Sequence, residues 1–263
     1  SLYCGSTVIL FDGSPFYPSN DSLLKIAEKE SFNIFGTSAK YIDTIEKKGI
    51  KPSSVGKYTA LRSILSTGSP LQEDNFDFVY NNWKHDVQLS SISGGTDIIS
   101  CFVLGCPILP VKRGEIQCIG LGMDVHSYDS KGNSVLDKKG ELICAKPFPS
   151  MPIYFWNDSS GDIYKNAYFN KYKNVWTHGD YISVSSSGGI EIYGRSDATL
   201  NPGGVRIGTS EIYKVIEKFR RVEDSVAIGL EIDGDEKIIL FVKMKEILSD
   251  ELCNQIRNQI KNI

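Results

Sequence analysis

The spacing of hydrophobic and polar positions changes twice along this chain of 263 residues. In the first part, short apolar runs break at Gly/Ser-rich turns, and "DSLLKIAEKES" has the apolar spacing and the Asp or Ser cap of a helix. The stretch "FNIFGTSAKYIDTIEKKG" is predicted to be a strand followed by a helix. Strands that alternate with helices indicate a largely parallel sheet, so residues 1–109 are predicted to form a partial α/β subdomain.

Another apolar run lies close to the start of the chain. The stretch "STVILFDGSP", residues 6–15, is predicted to be a buried strand that ends in a turn containing Gly and Pro. Because a buried strand needs neighbours on both sides, its position near residue 1 indicates that the chain begins inside a larger domain.

After Pro110 the apolar runs become brief and alternate with polar positions. The segments "GEIQCIG", "MDVHSYD", "GELICAK" and "GIEIYGR" are separated by turn sequences such as "DSKGN" and "SSSGG". This pattern is typical of short antiparallel strands joined by tight turns. Residues 110–194 are therefore predicted to form an antiparallel, barrel-like β subdomain.

A third pattern occupies residues 195–263. The segment "GTSEIYKVIEKFR" has three apolar side chains on one helical face, with Thr209 or Ser210 as the predicted cap. "DSVAIGLEI" and "EKIILFVKM" flank "DGD" and predict a hairpin, and the last sixteen residues carry one apolar helical stripe. These elements predict a small, mobile α+β domain.

Composition narrows the class of partner and the compartment. The formal net charge is −3, so no basic surface indicates binding to nucleic acid or to anionic lipid. The longest apolar stretches, such as "CFVLGCPILPV", are too short and too interrupted to span a bilayer. The six cysteines are scattered without a C-x-x-C pair, which argues against a zinc site and fits a reducing compartment. A cytosolic location is therefore expected.

Two candidate sites lie in loops at the ends of predicted strands, where ligands collect in open α/β sheets. In "SISGGTDI", Thr96 offers a hydroxyl and Asp97 a hard oxygen for Mg²⁺, although an ordinary Gly-Gly turn explains the same residues. In "WTHGDY", Asp180 is able to accept hydrogen bonds from a sugar diol, or it is simply a turn aspartate. His178 is interpreted as a structural residue.

The third candidate is "YGRSDATLNPGGVRIGTSEIY", residues 193–213, a Gly-rich loop between a strand and a helix. Here Arg195 and Arg206 are able to hold phosphates through charge-assisted hydrogen bonds. Asp197 lies at a predicted domain boundary, where a hinge would be placed. Gly203 and Gly204 allow close contacts that a side chain would block. A tight turn that happens to carry charge is the alternative.

The order of these three loops resembles the adenylate-forming superfamily of acyl-CoA synthetases, luciferases and peptide-synthetase adenylation domains. The resemblance covers most of the chain. The strings "LFDGSPFYP", "FGTSAKYI", "KPFPSMPIYFWND" and "GRSDATLNPGGVRIGTSEIY" are similar to the acetoacetyl-CoA synthetase family in particular. The resemblance implies an AMP-forming ligase that joins acetoacetate to ATP as an acyl-adenylate and transfers the acyl group to coenzyme A for lipid synthesis.

The resemblance also implies roles for residues that would hold ATP. Thr96 would contact the adenylate phosphate and Arg206 the phosphates of ATP, which makes these two the expected catalytic residues. Asp180 would bind the ribose hydroxyls, and Arg195 would contact both ribose and phosphate. Further expected contacts are Gly95 beside the nucleotide, Gly68, Ser69 and Pro70 against adenine, and Asp97 on Mg²⁺.

Other implied roles concern the second half-reaction and the acyl group. Asp197 would be the hinge about which the small domain turns, and Gly204 would line the tunnel for the pantetheine of coenzyme A. Relatives that act on acetate carry a tryptophan at the position of Gly94, so glycine there would open the pocket for a longer acid such as acetoacetate.

Two features of the family pattern are missing from this sequence. It has no Ser/Thr/Gly-rich phosphate loop with a lysine, and the catalytic lysine of the small domain would fall beyond Ile263. The chain is therefore expected to be a central-to-C-terminal fragment that is inactive by itself. The alternatives are a ligase for another short or medium acid, a non-catalytic nucleotide- or CoA-binding module, and a structural α/β protein without a ligand.

Overall fold

A computed structural model describes residues 2–200, 207–232 and 235–261. Within these ranges the helices are α1 (Ser22–Lys29), α2 (Ala39–Lys47), α3 (Glu73–Asn82), α4 (Asp162–Tyr168), α5 (Thr209–Ile216) and α6 (Asp250–Ile260). The strands are β1 (Ile34–Ser38), β2 (Ser63–Thr67), β3 (Gln88–Ser91), β4 (Ser93–Gly95), β5 (Ser100–Leu104), β6 (Cys118–Ile119), β7 (Val125–Tyr128), β8 (Ser134–Val135), β9 (Gly140–Cys144), β10 (Trp176–Val184), β11 (Ile190–Arg195), β12 (Thr199–Leu200), β13 (Ile207–Gly208), β14 (Val222–Ile232) and β15 (Asp235–Met244). Short 3-10 helices lie at Leu2–Cys4 and Pro52–Ser54.

The first unit is a three-stranded parallel sheet in the order β1-β2-β3. Phe35, Ile64 and Leu89 each lie on one of its strands and are almost fully buried against the helices. Helix α2 begins where the sequence allows it, because the Ser38 hydroxyl accepts a hydrogen bond from the Tyr41 amide at 3.1 Å. The predicted parallel α/β sheet is confirmed.

The strand predicted over residues 6–15 is wrong. These residues form no regular structure and are mostly exposed, including Leu10 at 87%. Apolar content makes a segment suited to burial, but a strand also needs a neighbour for its backbone hydrogen bonds. Within the described ranges, no strand pairs with this segment.

The second unit consists of antiparallel sheets, as predicted. One has five strands in the order β11-β10-β9-β7-β8, and the other has three in the order β4-β5-β6. Between residues 88 and 195, which the structure describes without a gap, these sheets stay open rather than closing into a barrel. Their shared core includes Phe102, Leu142, Trp176 and Ile182.

The third unit combines the β14–β15 hairpin with α5 and α6 around Ile212, Ile216 and Leu252. The predicted hairpin and last helix are present. The predicted cap of α5 is wrong, because Gly208 precedes the helix as its cap and Thr209 is already helical. The hydroxyl of Ser210 instead donates to the backbone carbonyl of Tyr193 on β11.

Three separate hydrophobic clusters therefore follow one another along the chain. The second cluster already includes Ile98, Phe102 and Val103, which precede the predicted division at residue 110. The exact domain bounds stay a prediction. No helix among the described residues has the length and apolar character needed to cross a membrane.

Candidate functional site

A cavity of about 1130 Å³ lies where the three units meet. Each unit contributes to its wall, so the cavity depends on the arrangement of the whole chain. The wall includes residues 67–70 after β2, residues 93–96 around β4, His178 and Asp180 of β10, residues 191–195 of β11, and Ser210 and Lys214 of α5. Its volume is slightly above the roughly 300–1,000 Å³ of typical ligand pockets, so it has room for a cofactor-sized ligand.

Asp180 and Arg195 lie side by side in this wall. They are register partners in the antiparallel pair β10–β11, and the Arg195 Nη1 atom lies 3.8 Å from Asp180 Oδ1. Gly179 between His178 and Asp180 has φ +86°, and a Cβ there would lie 2.8 Å from Arg195 Nη2. Because residue 179 has no side chain, the Arg195 guanidinium is able to lie against β10 at this point.

The carboxylate of Asp180 is a buried acceptor with little compensation from the protein. Asp180 is only 8% exposed, and no hydrogen bond from the described residues reaches its carboxylate. Burial raises the pKa of Asp180, although the charges of His178 and Arg195 act in the opposite direction. Since buried polar atoms are nearly always hydrogen-bonded, this carboxylate is suited to a ligand that brings its own donors.

The Arg195 guanidinium is held by three contacts. Its Nε and Nη2 atoms donate to the two oxygens of Asp197 at 2.9 and 2.5 Å, and Nη1 donates to the His178 carbonyl at 3.3 Å. The hydrogen bonds from Arg195 lower the pKa of Asp197, and the same contact raises the pKa of Arg195. Both groups are therefore charged at neutral pH.

His178 packs in the wall next to Asp180. Its ring lies edge-on to Phe102 with centroids 4.8 Å apart, and Nε2 lies 3.8 Å from Asp180 Oδ2. The ring is buried, and Nδ1 has no hydrogen-bond partner within the described ranges. This position is consistent with the packing role expected from the sequence.

The loop after β4 brings two further predicted residues to the site. Thr96 and Asp97 are exposed, and Thr96 lines the cavity. A Cβ at Gly95 would lie 1.9 Å from Asp97 Oδ1 and 3.1 Å from His178 Cε1, so glycine lets both groups approach the same spot. Asp97 Oδ2 accepts a hydrogen bond from the Tyr168 hydroxyl at 2.7 Å, a contact that the sequence did not predict.

The single carboxylate of Asp97 is consistent with Mg²⁺ but not with a metal held by protein alone. Among the described residues, no three His, Cys, Asp or Glu side chains cluster as a metal cage. Mg²⁺ usually keeps several waters and binds one or two carboxylates together with substrate phosphates. One carboxylate oxygen that accepts no hydrogen bond from the described residues, beside the cavity, fits that mode.

Gly94 also lines the cavity, but its missing side chain does not simply leave empty space. A Cβ there would lie 2.1 Å from the Ser100 carbonyl oxygen and 2.7 Å from Cys101 Cα. A tryptophan at 94 would therefore have to displace strand β5. The interpretation that Gly94 enlarges the acyl pocket stays a prediction, and a Gly94→Trp variant would not test it cleanly.

The remaining predicted residues are placed as follows. Gly68, Ser69 and Pro70 lie in the wall just after β2, and Gly68 has φ +87°. Their contact with adenine stays a prediction. Arg206, Gly203 and Gly204 lie outside the described residues.

Ion pairs connect the third unit to the other two around the cavity. Lys40 of α2 lies 3.1 Å from Asp224 of β14, and Lys214 of α5 lies 3.5 Å from Glu191 of β11. A third pair joins Lys139 to Glu211. The first two pairs are about half exposed, so each contributes little to stability.

Comparison with known proteins gives relatives over nearly the whole chain. No family model matches the chain. It is 50% identical over 263 residues to the acetoacetyl-coenzyme A synthetase of Rhizobium meliloti and 45% identical over 265 residues to that of Gallus gallus. Each alignment covers 99% of this chain and 40% of the relative. The chain therefore spans about 40% of the length of these relatives.

Solved structures give the same result. The acetoacetyl-CoA synthetase of Streptomyces lividans superposes with a TM-score of 0.85 at 40% identity, over 95% of this chain and 38% of that one. An anthranilate CoA ligase in complex with anthranoyl-AMP superposes with a TM-score of 0.77 at 18% identity, over 98% of this chain and 48% of that one, which supports the fold alone. The predicted adenylate-forming fold is confirmed. Over the part that it spans, the chain is similar in sequence and in fold to acetoacetyl-CoA synthetases.

Proposed function

We propose that this protein is an ATP-dependent acid–thiol ligase that activates acetoacetate and transfers it to coenzyme A. One observation carries the proposal: Asp180 and Arg195 are register partners in the wall of a cavity that the three predicted loops share. The sequence identity to acetoacetyl-CoA synthetases supports acetoacetate as the acid. Acetoacetyl-CoA would then enter lipid synthesis, and the six free cysteines are compatible with a cytosolic location.

The nucleotide would bind through the strand wall. Asp180 would accept hydrogen bonds from the ribose hydroxyls, which would satisfy a buried carboxylate that receives no hydrogen bond from the described part of the chain. Arg195 would direct its guanidinium at the ribose and the α-phosphate, because a planar fork suits phosphate oxygens. Residues 68–70 would pack on the adenine from the opposite side of the cavity.

The chemistry would take place beside β4. The Thr96 hydroxyl would donate a hydrogen bond to the phosphate that the acetoacetate carboxylate attacks. Arg206 would hold the phosphates of ATP. Asp97 would hold Mg²⁺, which when bound neutralises charge on the phosphate oxygens. The carboxylate oxygen of the acid bonds to the α-phosphorus, and pyrophosphate leaves with the electron pair of the broken bond.

Transfer to coenzyme A would follow a change in the third unit. Asp197 would act as the hinge, Gly204 would line the pantetheine tunnel, and the thiol would replace AMP on the acyl carbon. The ion pairs that hold α5 and β14 in place are weak enough to exchange during such a change.

Nucleotide binding by the chain itself is the first test. Titration calorimetry with ATP and with AMP is expected to show binding, and Asp180→Asn is expected to weaken it by about 30- to 100-fold, since a charged hydrogen-bond acceptor is lost. Asp162→Asn, at an exposed position on α4 away from the cavity, is the matched control. Equal affinity in both variants would contradict the proposed site.

Acid preference is the second test. In protein extended to the full length of its relatives, pyrophosphate release is measured with acetoacetate, acetate, butyrate and 3-hydroxybutyrate. The proposal expects the largest kcat/KM with acetoacetate. Nucleotide binding with a preference for another acid would support the sibling-ligase alternative, and binding without turnover would support the non-catalytic module.

A further inference from the structure

The hydrogen bond between Tyr168 and Asp97 joins two segments that are 71 residues apart. The Tyr168 hydroxyl lies 2.7 Å from Asp97 Oδ2, which is a strong geometry for a phenol donating to a carboxylate. Within the described part of the chain, it is the one hydrogen bond to the Asp97 side chain. The orientation of this exposed carboxylate therefore depends on one hydroxyl.

The position of that hydroxyl is fixed by aromatic packing. The Tyr168 ring is stacked on Trp176, with centroids 3.6 Å apart and an angle of 14° between the planes. Trp176 is only 1% exposed and begins β10, the strand that carries Asp180 four residues later. The edges of Phe155 and Tyr164 also contact the Tyr168 ring. Tyr168 therefore connects Asp97 to the rigid strand wall of the cavity.

The second oxygen of Asp97 has a different environment. Oδ1 lies where it would meet a Cβ on Gly95 at 1.9 Å, so it occupies space that only glycine leaves open. Gly95 itself lines the cavity. With Oδ2 held by Tyr168, Oδ1 lies next to the cavity wall and accepts no hydrogen bond from the described residues.

We propose that Tyr168 is a positioning residue of the nucleotide site, whose hydroxyl holds one oxygen of Asp97 so that the other is presented to the Mg²⁺ that accompanies the nucleotide phosphates. This inference rests on the proposed function, which assigns Asp97 to the metal. Tyr168 does not line the cavity and acts only through Asp97.

The test compares Tyr168→Phe with Tyr164→Phe in the same 263-residue chain. Each variant removes one hydroxyl and keeps the ring, and the Tyr164 hydroxyl donates to the Pro152 carbonyl, away from Asp97. ATP affinity is measured by calorimetry in EDTA and at increasing Mg²⁺. In Tyr168→Phe, the Mg²⁺ concentration that gives half of the affinity gain is expected to rise about tenfold, which is the usual size of losing a hydrogen bond to a charged group. Affinity in EDTA is expected to stay within about twofold of the wild type.

A second readout does not depend on ligand. Amide hydrogen exchange at residues 96–99 is expected to accelerate in Tyr168→Phe and to stay unchanged in Tyr164→Phe, because only the first variant releases the carboxylate of the loop. A lower melting temperature with unchanged Mg²⁺ dependence and unchanged loop exchange would show a merely structural contact and overturn the inference. If the ATP affinity of the wild type does not depend on the Mg²⁺ concentration, the proposed role of Asp97 is overturned, and this inference with it.

Discussion

The two walls of the cavity are stabilised by different forces. The strand wall presents Asp180 from β10, which is hydrogen-bonded to β9 on one side and to β11 on the other. Another wall comes from α5 and β14, which reach the rest of the chain through the Ser210–Tyr193 hydrogen bond and through ion pairs such as Lys40–Asp224 and Lys214–Glu191. The lysines of these two pairs are 52% and 48% exposed.

The difference separates a fixed part of the site from a part that is able to move. Burying one large apolar side chain contributes about 1.5–3 kcal/mol, whereas an exposed ion pair contributes about 0–1 kcal/mol. The strand wall therefore keeps its geometry while the helical wall is able to leave at low cost. The proposed function, with two reactions in one cavity, needs this combination.

The largest expected effect contrasts a core position of the strand wall with a position on the hairpin. Ile182→Ala on β10 is expected to lower the free energy of unfolding by about 2–5 kcal/mol, because Ile182 is completely buried. Leu230→Ala on β14 is expected to cost less than about 1 kcal/mol, because Leu230 is 47% exposed. Urea unfolding measures both, and the milder Ile182→Val serves if the alanine variant does not fold. Equal losses would remove the distinction between the two walls.

The next effect concerns charge in the strand wall. Burial raises the pKa of Asp180 in the folded state, so its contribution to stability is fully present below the unfolded pKa and is lost as the pH rises through the folded pKa. Asparagine does not ionise, so Asp180→Asn avoids this loss of stability. The variant is therefore expected to melt at a higher temperature than the wild type at pH 7. The advantage should shrink as the pH falls towards 4. Melting curves between pH 4 and pH 8 measure it, and a variant that is less stable throughout would show that the buried carboxylate stabilises the fold.

The smallest effect is expected in the helical wall. Lys40→Met breaks the pair with Asp224 and is expected to lower the free energy of unfolding by less than about 1 kcal/mol, with the difference disappearing at high salt. Amide exchange in β14 and α5 should nevertheless accelerate, because the third unit loses one of its attachments. Lys25→Met is the matched control, since Lys25 pairs with Asp21 inside α1. The same acceleration in both variants would exclude a role for Lys40 in holding this wall.

Much of the fold was predictable because local pattern and tertiary structure agree. The alternating strands of the second unit, the parallel strands of the first and the β14–β15 hairpin all follow from apolar spacing and turn residues. The predictions fail where the conformation of a segment depends on contact with residues far away in the sequence. Residues 6–15 have the apolar content of a strand but no neighbour among the described residues, and Ser210 bonds to Tyr193 instead of capping α5.

The candidate site shows the same limit. The sequence predicted that Asp180 and Arg195 lie in two loops, which is wrong because both residues lie on strands, and only the register of β10 and β11 brings them together. Nothing in the sequence marks Tyr168 as a contact of Asp97, because the two residues meet through the packing of α4 on Trp176. The collision of a Cβ at Gly94 with the Ser100 carbonyl likewise needs coordinates.

Gly179 has a consequence for anyone who wishes to redesign this protein. Its positive φ disfavours every other residue, and a methyl group there would press against the guanidinium of Arg195. A mutant library aimed at new nucleotides or new acids should therefore leave codon 179 untouched and diversify the side chains around it. The missing Cβ at residue 179 therefore limits how this part of the pocket is able to be engineered.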